Sequence, residues 1–229
     1  MSWSQTPDAV GILSRWDPET GRADEQLIIR SHQTVYVGRD PDKCHFVLDN
    51  KFVSRQHLRI YTILFDHENP GSILPLVYAE DISENGAVWN IYPMSGKGGF
   101  LLSDGDIIQL PVGIFLRFSY QMHVQERLGI VMTKEIQFFN NTYCVTPRRL
   151  GSGAYGQVYM AYNSISGQQL ACKYGKKLLE SGREANLRKR LEVSSREALI
   201  LKDLCHPNII SLKKVIQTSY HVYLFQELL

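Results

Sequence analysis

The sequence predicts an all-β sandwich followed by a smaller α+β domain. Between residues 27 and 120, runs of alternating apolar and polar residues recur about every eight to twelve positions, broken by Asn-Gly, Asp-Gly and Pro, as in a sandwich. From Tyr143 the texture changes to two strand-like runs, a Lys/Arg/Glu-rich stretch with helical spacing near its end, and strands again. The segment from Met122 to Asn141 has little pattern and reads as a connector, which puts the boundary near residue 140.

Composition narrows the function classes. With 229 residues and 44% apolar content, the chain can build one large core or two small ones. A formal charge of +2 is too small for nucleic acid to be the main partner, since such proteins concentrate a strongly basic face. No run of eighteen apolar residues occurs, and MSWSQTPDAV lacks the charged and apolar regions of a signal peptide, so no membrane partner and an intracellular location are expected. Cys44, Cys144, Cys172 and Cys205 lie far apart without a C-x-x-C pair, so no metal site is predicted and the thiols are expected reduced and mostly buried.

In chain order, the strand-like runs of the first region are TVYVGRD, CHFVLDN, HLRIYTILF, LVYAEDISENG, AVWNIYP, FLLSDGD, IIQL and IFLRFSY, and none is long or periodic enough for a helix. The polar residues that interrupt them fall in loops: Gly38-Arg39, then Ser54-Arg55-x-His57, then Asn85-Gly86. Arg offers a planar fork for phosphate oxygens, while a Ser hydroxyl and an Asn amide add neutral donors, a set suited to a phosphorylated side chain.

The ordered motifs G-R, S-R-x-H, D-x-S-x-N-G and L-x-D-G-D-x-I (Leu102 to Ile108) resemble the forkhead-associated (FHA) domain, a phosphothreonine-binding β-sandwich, over residues 10–120. The resemblance implies that Arg39 and Ser54 hold the phosphate with help from Arg55, and that Asn85 binds the peptide backbone. His57 braces the site from below, and Gly38 and Gly86 serve backbone conformation. Ala87 stands where the family usually has Thr, and Glu84 where a small hydroxyl residue is common. Glu84 would repel acidic peptide flanks.

In the second region, LGSGAYGQVYMAY carries G-x-G-x-x-G at Gly151, Gly153 and Gly156. A dinucleotide-binding turn must open a helix, whereas Gln157 to Ala161 continues in strand alternation, so the loop joins two strands. Val158 completes G-x-G-x-x-G-x-V. With Leu170-Ala171-Cys172-Lys173, Glu197 in the helical run REALILKDL, and His206-Pro207-Asn208-Ile209-Ile210, the region resembles the N-lobe of a eukaryotic protein kinase, a five-stranded antiparallel sheet plus helix αC, over residues 143–229. Residues 121–142 remain as linker.

The kinase resemblance implies ATP as cofactor, with Lys173 on its α- and β-phosphates and Glu197 pairing that lysine. Ser194-x-x-Glu197 also fits a capping box, which would give Glu197 a local role instead. Leu150, Gly151, Ser152, Gly153, Ala154 and Gly156 would form the flap over the nucleotide, with Val158 and Ala171 beside it. Tyr155 at the tip either shields the phosphates or is a plain exposed turn residue. HVYLFQELL would be the fifth strand running into the hinge, with Gln226 at the gatekeeper position and the Glu227 carbonyl and Leu229 amide meeting adenine. The basic run from Lys173 to Arg190 reads as a solvated face, or as a nuclear-import or docking patch.

An FHA domain joined to a kinase domain resembles the fungal checkpoint and meiotic effector kinases, serine/threonine enzymes of the calmodulin-kinase group. The implied partners are a phosphothreonine protein, either an adaptor or another copy of the chain, and a protein substrate. The implied location is nuclear. H-R-D-x-x-x-x-N and D-F-G occur nowhere in these residues, so the C-lobe and the Mg²⁺ ligands expected in a full-length enzyme are not among them. The chain as given is expected to be inactive as a kinase. The alternative is a non-catalytic phosphopeptide-binding module with a remnant ATP-site lobe.

Overall fold

The computed structural model describes residues 9–64, 74–121, 127–139, 141–153, 156–176, 198, 200–201, 204 and 206–228. The chain divides into two compact units, Met1–Val124 and Gln125–Leu229.

Among the described residues the first unit holds eleven strands: β1 (Ala9–Trp16), β2 (Ala23–Arg30), β3 (Thr34–Gly38), β4 (Phe46–Val47), β5 (Leu58–Ile63), β6 (Leu76–Asp81), β7 (Val88–Trp89), β8 (Tyr92–Pro93), β9 (Gly99–Leu101), β10 (Ile107–Leu110) and β11 (Ile114–Tyr120). They form a sheet in the order β2-β1-β11-β10-β7-β8 and a second in the order β4-β3-β5-β6-β9. This is the predicted β-sandwich. In β11, alternate residues from Ile114 to Tyr120 are buried, Val35, Val37, Leu58 and Ile60 do the same on the other sheet, and β6 there is buried continuously from Leu76 to Ala79. The structure adds β1 and β2, which lie before or at the start of the alternating region.

The second unit is a five-stranded sheet in the order β12-β13-β14-β16-β15: β12 (Tyr143–Gly153), β13 (Gly156–Asn163), β14 (Gln169–Lys176), β15 (Leu212–Gln217) and β16 (His221–Glu227). Every pair in it is antiparallel, as expected of a kinase N-lobe sheet. Ala198, Ile200 and Leu201 are helical, within the run expected to form αC.

The stretch read as a connector is more than that. Residues Ile130–Ile136 form helix α1, and Met132 and Phe139 are buried in one core with Tyr159, Cys172, Tyr223 and Phe225. Phe139 meets Tyr223 and Phe225 edge-on, at ring-centroid distances of 4.9 and 5.8 Å. This packing makes the segment part of the second unit. Because Phe225 is fully buried at the middle of that core, Phe225→Ala is expected to destabilise the second unit by about 3–5 kcal/mol, measured by denaturant unfolding.

Candidate functional site

In the first unit, backbone hydrogen bonds draw the first two sequence motifs together. Arg39 N–H donates to Ser54 O (3.1 Å), Asp40 N–H to Arg55 O (3.2 Å) and Leu48 N–H to Gly38 O (2.9 Å). The approach is close enough to require glycine: a Cβ on Gly38 would stand 2.4 Å from Arg55 O and 2.9 Å from Cys44 Sγ. Arg39 and Arg55 remain exposed and Ser54 half-buried, so two guanidinium groups and a hydroxyl issue from adjoining backbone.

His57, fully buried, ties this pair of loops to the next one. Its Nδ1 accepts from Ser54 N–H (3.0 Å) and its Nε2 lies 3.1 Å from Gly86 O. An acceptor on one ring nitrogen and a donor on the other define the neutral ring protonated at Nε2. Burial pushes the His57 pKa down, against the opposing influence of the Gly86 carbonyl and the Asp81 charge.

The remaining contacts decide which groups face a ligand. Ser54 Oγ accepts Glu84 N–H (3.2 Å), which leaves the hydroxyl proton to donate. Asn85 Nδ2 donates to Phe52 O (2.8 Å), which orients the amide and leaves Oδ1 as an acceptor. Gly86 sits at φ +80, in the left-handed region that glycine adopts without cost.

Asp81 organises the Asn85 loop, and the sequence reading gave it no role. Its carboxylate accepts Ser83 N–H (3.0 Å), Ser83 Oγ–H (2.6 Å), Ser95 Oγ–H (2.6 Å) and Ala87 N–H (2.9 Å). Burial works to raise its pKa, but these donors outweigh it and hold the carboxyl below its ordinary value. The signal was available in D-x-S, since an Asp two residues before a Ser at a strand end is the local pattern of an Asx turn.

In the second unit, β12 and β13 form a hairpin with Gly153 opposite Gly156, so the glycine loop does join two strands. Gly156 lies at φ +151, and a Cβ there would stand 1.9 Å from Tyr174 O on β14. That contact excludes any other residue at this position. The register aligns Gly151 with Val158, Val158 with Lys173, Lys173 with Leu224 and Leu224 with Val215. Directly opposed residues share a face, so these five form one row across the sheet.

Leu224 on that row packs with Val222 against Ala198, the residue after Glu197 in sequence. Lys173 is half-buried, Leu150 is buried, and Ala171 stands opposite the buried Gln226. Glu227 takes Ser211 N–H on Oε1 (2.8 Å), and its own N–H donates to Ser211 O (3.0 Å). On the opposite face Cys172 is fully buried, and burial pushes its thiol pKa up, away from a reactive thiolate. Ala154, Tyr155, Glu197, Leu229, the Ser152 side chain and the basic run after Lys176 lie outside the described residues.

Comparison with known proteins matches residues 35–111 to the FHA domain and residues 144–229 to the protein kinase domain. A meiosis-specific serine/threonine-protein kinase of Schizosaccharomyces pombe is 30% identical over 219 residues, covering 95% of this chain and 44% of that protein. Its namesake in Saccharomyces cerevisiae is 29% identical over 220 residues, covering 90% of this chain and 42% of that protein. The chain therefore spans under half the length of these relatives. The crystal structure of the MEK1 FHA domain in complex with a HOP1 phosphothreonine peptide shares 27% identity, covers 50% of this chain and 99% of that one, and superposes with a TM-score of 0.42.

His57 makes the first unit pH-sensitive. Its pKa is lowered in the folded state, so the unfolded chain binds the extra proton first, and stability present above the ordinary value is lost as pH falls below it. The first unit is expected to lose stability below about pH 6.5, at up to about 1.4 kcal/mol per pH unit. His57→Gln is expected to flatten that slope in thermal unfolding curves recorded across the range.

Proposed function

We propose, on the premise that this chain joins an FHA domain to part of a protein kinase domain and has FHA-containing meiotic and checkpoint kinases as its homologues, that it is the recruiting and nucleotide-binding part of a serine/threonine kinase. In this reading the first unit docks on a phosphothreonine protein, an adaptor or a second copy of the chain. The second unit contributes half of an ATP site. The pathway is meiotic or checkpoint signalling, and the substrates are proteins.

The observation that carries the reading is the junction at His57. One neutral imidazole hydrogen-bonds both the Ser54 loop and the Gly86 loop. It thereby sets two guanidinium groups, a hydroxyl proton and an amide acceptor on neighbouring loops. Arg39 and Arg55 supply charge for the phosphate, Ser54 donates to one of its oxygens, and Asn85 Oδ1 takes a peptide N–H. Threonine phosphate on a peptide satisfies all of these at once.

For the second unit, the support is the row Gly151–Val158–Lys173–Leu224 beneath a glycine hairpin. An ammonium under a loop rich in backbone N–H groups suits a polyphosphate, and ATP supplies the transferable phosphoryl group when bound. Lys173 would hold the α- and β-phosphates, and Gln226 and Glu227 would border the adenine. Magnesium belongs to the same reading, and the H-R-D-x-x-x-x-N and D-F-G motifs that would supply its ligands do not occur among these residues.

Docking raises the local concentration of enzyme at its target, so recruitment by the first unit would direct the activity of the second. Arg39→Ala is expected to weaken binding of a phosphothreonine peptide by about 2–5 kcal/mol in isothermal titration calorimetry, and unchanged affinity would refute the role. Residues 1–229 alone are expected to transfer phosphate to a generic substrate no faster than their Lys173→Met variant; measurable transfer above that control would show that these residues suffice.

A further inference from the structure

A carboxylate outside both matched domains is buried in the second unit. Glu135 lies on α1, between the FHA match ending at residue 111 and the kinase match beginning at 144. It is 6% exposed. Its Oε2 accepts Tyr223 Oη–H (2.7 Å) and His221 Nδ1–H (2.5 Å), and its Oε1 accepts Tyr220 N–H (3.1 Å) and the Thr218 hydroxyl. All four donors belong to the β15–β16 connection or to β16 itself.

We infer that Glu135 is a positioning residue for the nucleotide-site lobe, and that the segment joining the two units is a built part of that lobe. The inference rests on the ATP-site reading for its functional meaning. Along β16, side chains alternate between the two faces. Tyr223 and Phe225 point into the α1 core, while Leu224 between them lies opposite Lys173. Tyr223 also stands opposite Tyr174, and Phe225 opposite Cys172, so the residues on both sides of Lys173 in β14 are held by the same packing.

Glu135 fixes the start of β16 from behind. That strand sets the height of Leu224 against Lys173 in front and carries on to Gln226 and Glu227. The donors also explain why the carboxyl stays ionised: burial works to raise its pKa, but Thr218, Tyr223, His221 and the Tyr220 N–H outweigh it and lower it. Removing the carboxylate would leave a buried phenol and imidazole without their acceptor, and the strand would shift or open to find water.

Hydrogen exchange on the whole chain tests this. In Glu135→Ala, amides of β16 and of β14 around Lys173 are expected to exchange roughly tenfold faster or more, the scale set by buried donors losing their acceptor. Amides of β5 and β6 in the first unit are expected to be unchanged, and Glu135→Gln, which keeps the shape and one acceptor, is expected to restore most of the protection. Faster exchange confined to α1, with β14 unchanged, would overturn the inference. Should Glu135→Ala melt the second unit, Tyr223→Phe decides: faster exchange at Lys173 supports the role, and unchanged exchange refutes it. Protection of the β12–β13 hairpin by Mg²⁺ and ATP in the parent chain is read separately, so its absence counts against the nucleotide reading and leaves the comparison at Glu135 standing.

Discussion

The loop face of the first unit depends on a single imidazole that is fully buried and has both ring nitrogens engaged. Loops at the end of a sandwich are ordinarily the most variable part of such a fold, because nothing in the core dictates their relative positions. Here the core does dictate them. His57 immediately precedes β5, whose Leu58 and Ile60 are fully buried, and its own N–H donates to Val37 O (2.7 Å) on β3. From there it binds the Ser54 N–H on its own loop and the Gly86 carbonyl across a gap of 29 residues in sequence. Ser54 Oγ and the Glu84 N–H add a second link between the same loops, and Asn85 with Phe52 O a third. Arg39, Arg55 and Asn85 are therefore exposed side chains on backbone that is not free to move apart.

The second unit solves a different problem by register. On the proposed reading, a lysine that meets phosphates sits on a rigid strand beneath a loop that comes close without side chains in the way. Gly156 makes the closest approach, over Tyr174 O. The antiparallel pairing then sets Val158 opposite Lys173 and Lys173 opposite Leu224. A shift of one residue in either pairing would send Lys173 to the face where Cys172, Tyr223 and Phe225 are packed. The aromatic core thus guards the register, since it could not accept an ammonium in place of a thiol.

Much of this was legible in the sequence. The strands from β3 to β11 follow alternating runs bounded by turn residues, and the glycine loop declared itself a hairpin by the strand alternation after Gly156. Two kinds of feature were not legible. In β2, Ile29 is the only buried residue, so that edge strand carries almost no alternation to read. Helix α1 has seven residues, too short to show a helical period, and Ile130 and Val131 are exposed beside the buried Met132 and Glu135. A buried glutamate is also the residue that pattern reading assigns to solvent. The donors of β16 and of the connection before it, distant in sequence, make its burial tolerable.

His57 and Glu135 reach stable burial by opposite electrostatics. Burial favours a neutral imidazole, and neutrality is what one donor and one acceptor require, so for His57 environment and geometry agree. Burial disfavours a carboxylate, and Glu135 stays ionised only because donors converge on both oxygens. The first arrangement fails when a proton arrives, since the added N–H would point at the Ser54 N–H. The second fails only when the carboxyl itself takes a proton, which its lowered pKa postpones to more acidic solution. Mild acid therefore strains the loops joined by His57 while the brace behind the lysine strand remains intact.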